Sequence, residues 1–197
     1  MKAIKAILII AAVLFAAFFA LGVFKPTIDY GATVEVSKSP EVAWAVYMDS
    51  SLMSEWVPTA KSITLVSGEH GQPSSYEIMM DYEGEMVSTM EELIALQENE
   101  SITFRFYNEM MSIDNTVTFT PKEDGGTTIT SESVAHGEGF FWKSMFAMIG
   151  DGFNKKEAIH YKALAELIER TDVEFEMPEM EMAIDSLAID STVVDSL

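Results

Sequence analysis

The hydrophobic pattern of the chain begins with a run that has no polar break, AILIIAAVLFAAFFALGVF, which takes in the 19 residues from Ala6 to Phe24. As a helix it spans about 28 Å, close to the hydrocarbon thickness of a bilayer. Beyond it the period falls to two. Gly31 to Ser37 (GATVEVS) and Ile63 to Val66 predict strands, and Ser75 to Asp81 sets Tyr76, Ile78 and Met80 on one face ahead of a turn at Glu83-Gly84. Met86 to Leu96 predicts a long strand whose two faces are both partly apolar, so the pattern does not say which side faces inward. Ile102, Phe104 and Phe106 alternate with Thr103, Arg105 and Tyr107; Ile113, Val117 and Phe119 alternate with Thr116, Thr118 and Thr120. Lys122 to Gly126 (KEDGG) predicts a hairpin turn, and Thr127 to Ala135 a last strand. The total is an antiparallel meander of about seven strands.

Helical pattern flanks this meander. In SPEVAWAVYMDSSLMSEW, Ser39 to Trp56, a cap at Ser39, Pro40 at the first helical position and Glu41 at the positive end of the dipole predict a short helix. Asp49, Ser50 and Ser51 offer a second start before Leu52, Met53 and Trp56. After Gly137, Phe141, Met145, Met148 and Ile149 form one stripe, and Ala158, Tyr161, Ala165 and Ile168 another. The glycines at 150 and 152 interrupt what is expected to be one long, kinked C-terminal helix. Strand, two short helices, strands and a long helix make an α+β plan in which a curved sheet grips that helix. The short pair would plug one end of the curl, with Trp44 and Trp56 facing its core or a hollow.

Three segments, VEVSKSPEVAWAVYMDSSLMSEWVPTAKSITLVSGE, the turn at Gly84 with MVSTMEEL, and GFFWKSMFAMIGDGFNKKEAIHYKALAELIE, resemble START-like proteins of the SRPBCC (polyketide cyclase) superfamily, of the small single-anchor kind seen in bacteria. The likeness covers about Asp29 to Arg170. It implies a helix-grip fold with a deep apolar cavity between sheet and C-terminal helix, and transfers no catalytic residue.

Composition narrows the functional classes. With 32 acidic against 12 basic residues the net charge is −20, which would repel nucleic-acid phosphates, so no nucleic-acid partner is expected. The absence of cysteine removes disulfides, thiolate catalysis and cysteine zinc sites. Lys2, Lys5 and the α-amine precede the apolar run and only Lys25 directly follows it, which predicts a single-pass anchor with the rest of the chain extracytoplasmic, in the periplasm. A cleaved signal peptide is the alternative, since Ala20-Leu21-Gly22 loosely fits a cleavage site. Three regions are expected: an anchor and short linker over 1–28, a START-like domain over 29–170, and an acidic, disordered tail over 171–197. The tail repeats AIDSL, AIDST and VVDSL, a period of five that matches neither helix nor strand; it offers a possible protein-partner motif with Met177, Met180 and Met182.

Candidate chemistry is sparse. Of three histidines, His70 lies in the turn SGEHGQP, His136 closes the last strand and His160 sits beside Tyr161 on the late helix. No metal-ligand or nucleophile-elbow spacing occurs, so neither a metal nor a cofactor is expected. Glu91 and Glu92 face opposite sides of their strand and cannot converge. Fourteen methionines are many, and Met79, Met80, Met86, Met90, Met110, Met111, Met145 and Met148 fall in segments that would line a cavity, although core filling explains any one of them. The expected cavity residues are Trp44, Trp56, Tyr76, Ile78, Met80, Met90, Phe104, Val117, Trp142 and Met145. The expected function is a membrane-anchored module that binds a hydrophobic small molecule or lipid. The alternatives are a cyclase or dehydrase on a polyketide-like substrate, with Glu91, His136 or Tyr107 as acid/base, or an interaction protein with a closed cavity.

Overall fold

The computed structural model describes residues 2–68, 74–82 and 84–171; His70, Glu83 and the acidic segment with its repeat lie outside the described residues. The chain opens with helix α1 (Lys2–Phe24), long and apolar enough to cross a membrane. Strand β1 (Thr27–Val36) leads to α2 (Pro40–Met48), a 3₁₀ turn at Ser50–Leu52 and the single-turn α3 (Met53–Trp56). There follow β2 (Ala60–Gly68), β3 (Ser74–Tyr82), β4 (Glu85–Gln97), β5 (Ser101–Tyr107), β6 (Met111–Pro121), β7 (Thr127–Gly137), α4 (Gly139–Ile149) and α5 (Asp151–Arg170).

The seven strands form one antiparallel sheet in the order β1-β7-β6-β5-β4-β3-β2. Each neighbour from β2 to β7 is the next strand in the chain, and β1 closes the far edge by pairing with β7 over the register Thr27↔His136 to Val36↔Thr127. The ambiguity in β4 has a structural cause. A register shift between Leu93 and Ala95 places an extra residue in the strand, so Thr89, Glu91 and Leu93 face inward before it and Leu96 after it.

The core forms where α5 crosses the inner face of the sheet. Leu164, Leu167 and Ile168 of α5 pack with Ile102, Val117, Phe119 and Ile129, and α2 adds Ala43, Trp44 and Val46. Trp44 meets Phe119 edge-on at 5.3 Å. Local capping differs from expectation. Ser39 makes no side-chain cap bond; its hydroxyl is bonded to the Glu41 carboxylate. Asp49 does cap the following turn, accepting from Ser51 N at 2.9 Å. The C-terminal end of α5 is tied down by Glu169, which accepts from Ser37 Oγ at 2.6 Å, and by the Arg170–Glu55 ion pair.

The long kinked helix of the sequence pattern is two helices meeting at Gly150. Only α5 lies in the grip. α4 packs on α1, β7 and β1 instead. The approach is close: a Cβ on Gly22 of α1 would stand 2.6 Å from Ser144 Oγ and 2.7 Å from Ser144 N, and the rings of Phe18 and Phe141 are 5.9 Å apart. The Phe141 stripe therefore faces α1 and solvent.

That contact is testable because the natural chain has no cysteine. Cysteines replacing Phe18 and Phe141 should cross-link in the membrane-reconstituted chain, and adding Gly22→Leu should abolish the cross-link by driving a side chain into Ser144. Equal cross-linking with and without Gly22→Leu would mean that α1 does not dock on α4.

Candidate ligand cavity

The N-terminal half of α5 meets β1 and β7 through Asn154, Phe153 and Glu157, and beside it, toward strands β2 to β6, lies a cavity of about 550 Å³. Strands β2 to β6 supply its floor. Trp56 and Val57, after the short helices, and Glu157, His160 and Tyr161 of α5 supply its other walls. Because successive strand residues alternate, the inward positions Tyr76, Ile78 and Met80 of β3 and Phe104 and Phe106 of β5 share this face.

Of the residues expected to line a cavity, the structure brings Trp56, Tyr76, Ile78, Met80 and Phe104 together there. The other five lie elsewhere. Trp44 packs against Phe119 in the solid core, and Val117, fully buried, lies in the same cluster. Met90 alternates with Thr89 and Glu91 and points to the other face of the sheet. Trp142 and Met145 belong to α4, which runs along α1 and away from the cavity wall. Among the methionines it is Met48, Met53, Met80 and Met111 that reach the lining.

A polar band borders the lining where α5 meets β6 and β7. Asn115 Nδ2 donates to Ser131 Oγ at 2.9 Å and to Ser133 Oγ at 2.8 Å, and Ser131 Oγ donates to Glu157 Oε1 at 2.6 Å. Tyr161 is hydrogen-bonded to Ser131 and to Tyr47, and Tyr30 to Ser133. Burial pushes the Tyr30, Tyr47 and Tyr161 phenols far above their ordinary range, and it raises Glu157 as well. His160, desolvated and near Lys156, is shifted down. All of these groups are therefore neutral or harder to ionise than in water.

Glu91 differs from the rest of the band. Its side chain is on the inner face of β4, only 4% exposed, and no hydrogen bond or ion pair to it occurs among the described residues. Burial pushes its carboxyl up to about 7. Of the three acid/base candidates, Glu91 alone faces the cavity. Tyr107 donates to Glu92 on the opposite face at 3.1 Å, and His136 lies near Asp114 outside the lining. Sequence reasoning passed over Tyr30, Tyr47, Asn115, Ser133 and Glu157. Glu157 did leave a signal: Phe153, Glu157, Tyr161, Leu164 and Ile168 follow helical spacing, so a carboxylate occupies a place in an apolar stripe.

The burial of Glu91 predicts a pH signature. The folded state keeps this proton up to about pH 7, whereas the unfolded chain loses it in the ordinary carboxylate range. Between those limits the folded state binds more protons, so the contribution of Glu91 is fully favourable below the window and is lost as pH rises through it. Glu91→Gln, which has no charge to bury, should gain up to about 3 kcal/mol relative to wild type on going from acid to neutral pH. Glu157 titrates in both proteins and cancels in the difference. Parallel pH–stability curves from denaturant titration would show that Glu91 is solvated.

The cavity and its grip are shared with known proteins. Residues 27–167 match the family described as polyketide cyclase / dehydrase and lipid transport. No curated protein matches the chain. Solved structures with the same fold include the Zhui aromatase/cyclase from Streptomyces sp. R1128, 11% identical with a TM-score of 0.61, covering 73% of this chain and 94% of that one. TTHA0849 from Thermus thermophilus is 15% identical, with a TM-score of 0.59 over 71% of this chain and 96% of that one. A START superfamily protein from Mycobacterium smegmatis is 17% identical, with a TM-score of 0.57 over 72% and 97% of the two chains. These proteins align over almost their whole length, and every residue of the main core cluster here falls between Val36 and Ile168, so no residue of α1 takes part in that cluster. The seven-stranded grip around α5 and the match over residues 27–167 make the chain a member of the polyketide cyclase/dehydrase and lipid-transport family, with a START-like helix-grip fold.

Proposed function

We propose that this protein is a bilayer-anchored module that holds a hydrophobic small molecule, or a lipid, in the cavity under α5. The observation that carries the reading is the cavity itself: about 550 Å³, walled mainly by apolar and aromatic side chains, falls in the range of small-molecule sites. The anchor is α1, with the domain on the extracytoplasmic side according to the lysines at 2 and 5. The apolar surface of α4 beside it supports the same reading. Phe140 is 74% exposed, and Phe141, Met148 and Ile149 are also exposed, as suits a helix lying at the level of lipid headgroups.

A second reading, a cyclase- or dehydrase-like enzyme, is favoured by one observation. Glu91 projects from the wall of a cavity that also holds the Tyr47–Tyr161 pair, and a carboxyl near 7 is matched to proton transfer at neutral pH. Mass spectrometry of whatever extracts from the purified protein separates the two readings. A single retained species supports the binding module, and turnover of added polyketide-like substrate supports the enzyme.

Binding is tested on the isolated domain, residues 27–171, with the neutral dye Nile red. The expected result is saturable binding with blue-shifted dye emission, as the dye enters a dry site. Ile78→Trp, at the centre of the floor, should block it with little loss of stability, because the added volume enters open space. No dye binding by wild type, together with a loss of about 1–3 kcal/mol in Ile78→Trp, is the behaviour of a solid core and would overturn the reading.

A further inference from the structure

We propose that the cavity selects a molecule with a protonated amine on an apolar body, and that Glu91 is the counter-ion of that amine. The inference rests on the binding reading above and names the class of ligand. Tyr76, Glu91 and Phe106 are directly opposite one another on three adjacent strands, β3, β4 and β5, and all three line the cavity. Directly opposed residues on one face of a sheet have Cβ atoms about 5 Å apart, so the carboxylate stands between two aromatic side chains. A carboxylate flanked by rings is how proteins bind ammonium groups: the carboxylate supplies the charge and the rings' negative faces supply the rest. Tyr47 and Trp56, with ring centroids 5.5 Å apart, add further aromatic surface to the same lining.

The charge balance points the same way. The groups that share the cavity with Glu91 are Glu157, His160 and Tyr161 on α5, Tyr47 on α2, Tyr30 on β1, and Asn115 and Ser133 on β6 and β7. No lysine or arginine is among the lining residues. Lys156 stays outside the lining, over the ring of Tyr82 at 5.6 Å from its centroid and near His160. Glu157 is already served by Ser131, whereas Glu91 has no such partner. A fatty-acid carboxylate would enter beside two carboxyl groups and meet the unpaired Trp56 Nε1 but no cation in the lining, and a neutral molecule would leave Glu91 uncompensated. An ammonium supplies the missing partner, and the net charge of −20 raises the local concentration of cations at the mouth.

The test compares three single-chain competitors with the same twelve-carbon body, dodecylamine, dodecanol and dodecanoate, in displacing Nile red from the isolated domain. It runs at about pH 8, where Glu91 is ionised and the amine protonated, below the micelle concentration of each and with the fold followed by circular dichroism. Dodecylamine should displace the dye at a concentration at least about tenfold below that of dodecanol, with dodecanoate the weakest. In Glu91→Gln the amine-to-alcohol ratio should fall to near one; in Phe106→Leu, which keeps the charge, it should fall partway. The surface change Glu132→Gln should leave it as in wild type. Equal displacement by amine and alcohol in wild type, or an amine preference that survives in Glu91→Gln, overturns the proposal while the cavity reading stands. Failure of Nile red to bind at all removes the cavity reading and this proposal together.

Discussion

Everything in this fold depends on how α5 meets the inner face of the sheet, because one helix makes both the solid core and the hollow. Its C-terminal half presents Leu164, Leu167 and Ile168, which close against Ile102, Val117 and Ile129 without a gap. Its N-terminal half presents Phe153, Glu157 and Tyr161 along the same stripe. A carboxylate and a phenol need hydrogen-bond partners, which a close-packed apolar contact would deny them, so this half meets the sheet at the polar band of Ser131, Ser133 and Asn115. The boundary between core and cavity is thus set by side-chain polarity along a single helix.

Keeping such a hollow open costs free energy, and the fold offsets that cost elsewhere. Cavity-lining atoms forgo contacts that a filled core would make, and Glu91 is desolvated without a protein partner. The compensation is a single antiparallel sheet of seven strands and a core at the other end of α5 in which several side chains are fully buried. At neutral pH Glu91 works against the folded state, because burial opposes its ionisation. A group retained at such a cost is where function is to be sought.

What could be read from the sequence follows the strength of each local signal. The strands after Gly31 were legible because one face of each is buried and the other solvated, which imposes a strict alternation. β4 was not, since the shift after Leu93 moves the inward set from odd to even positions and leaves apolar residues on both faces. The glycines mark a break in the C-terminal helical pattern, but nothing in a period reveals that the part before Gly150, with Trp142 and Met145, serves a different neighbour and leaves the cavity to α5. Glu157 and Tyr47 were passed over for the opposite reason. Each interrupts or decorates an apolar run, and only the approach of β7 and α2 turns them into a network.

The turn at Gly150 has its own consequence. By departing from α5, α4 carries an aromatic series from α1 into the rest of the fold: Phe18 meets Phe141, Phe141 meets Trp142, Trp142 meets Phe146, Phe146 meets Phe153, and Phe153 meets Tyr30 on the cavity wall, each pair of rings within 6.1 Å. Aromatic side chains are large and have few rotamers, so a contiguous series of them resists bending more than a flexible linker would. The contact at Gly22 then does more than tether the domain. It brings the backbone of α1 against that of α4, so α1 and the cavity wall are joined by packed side chains as well as by the short link after Phe24.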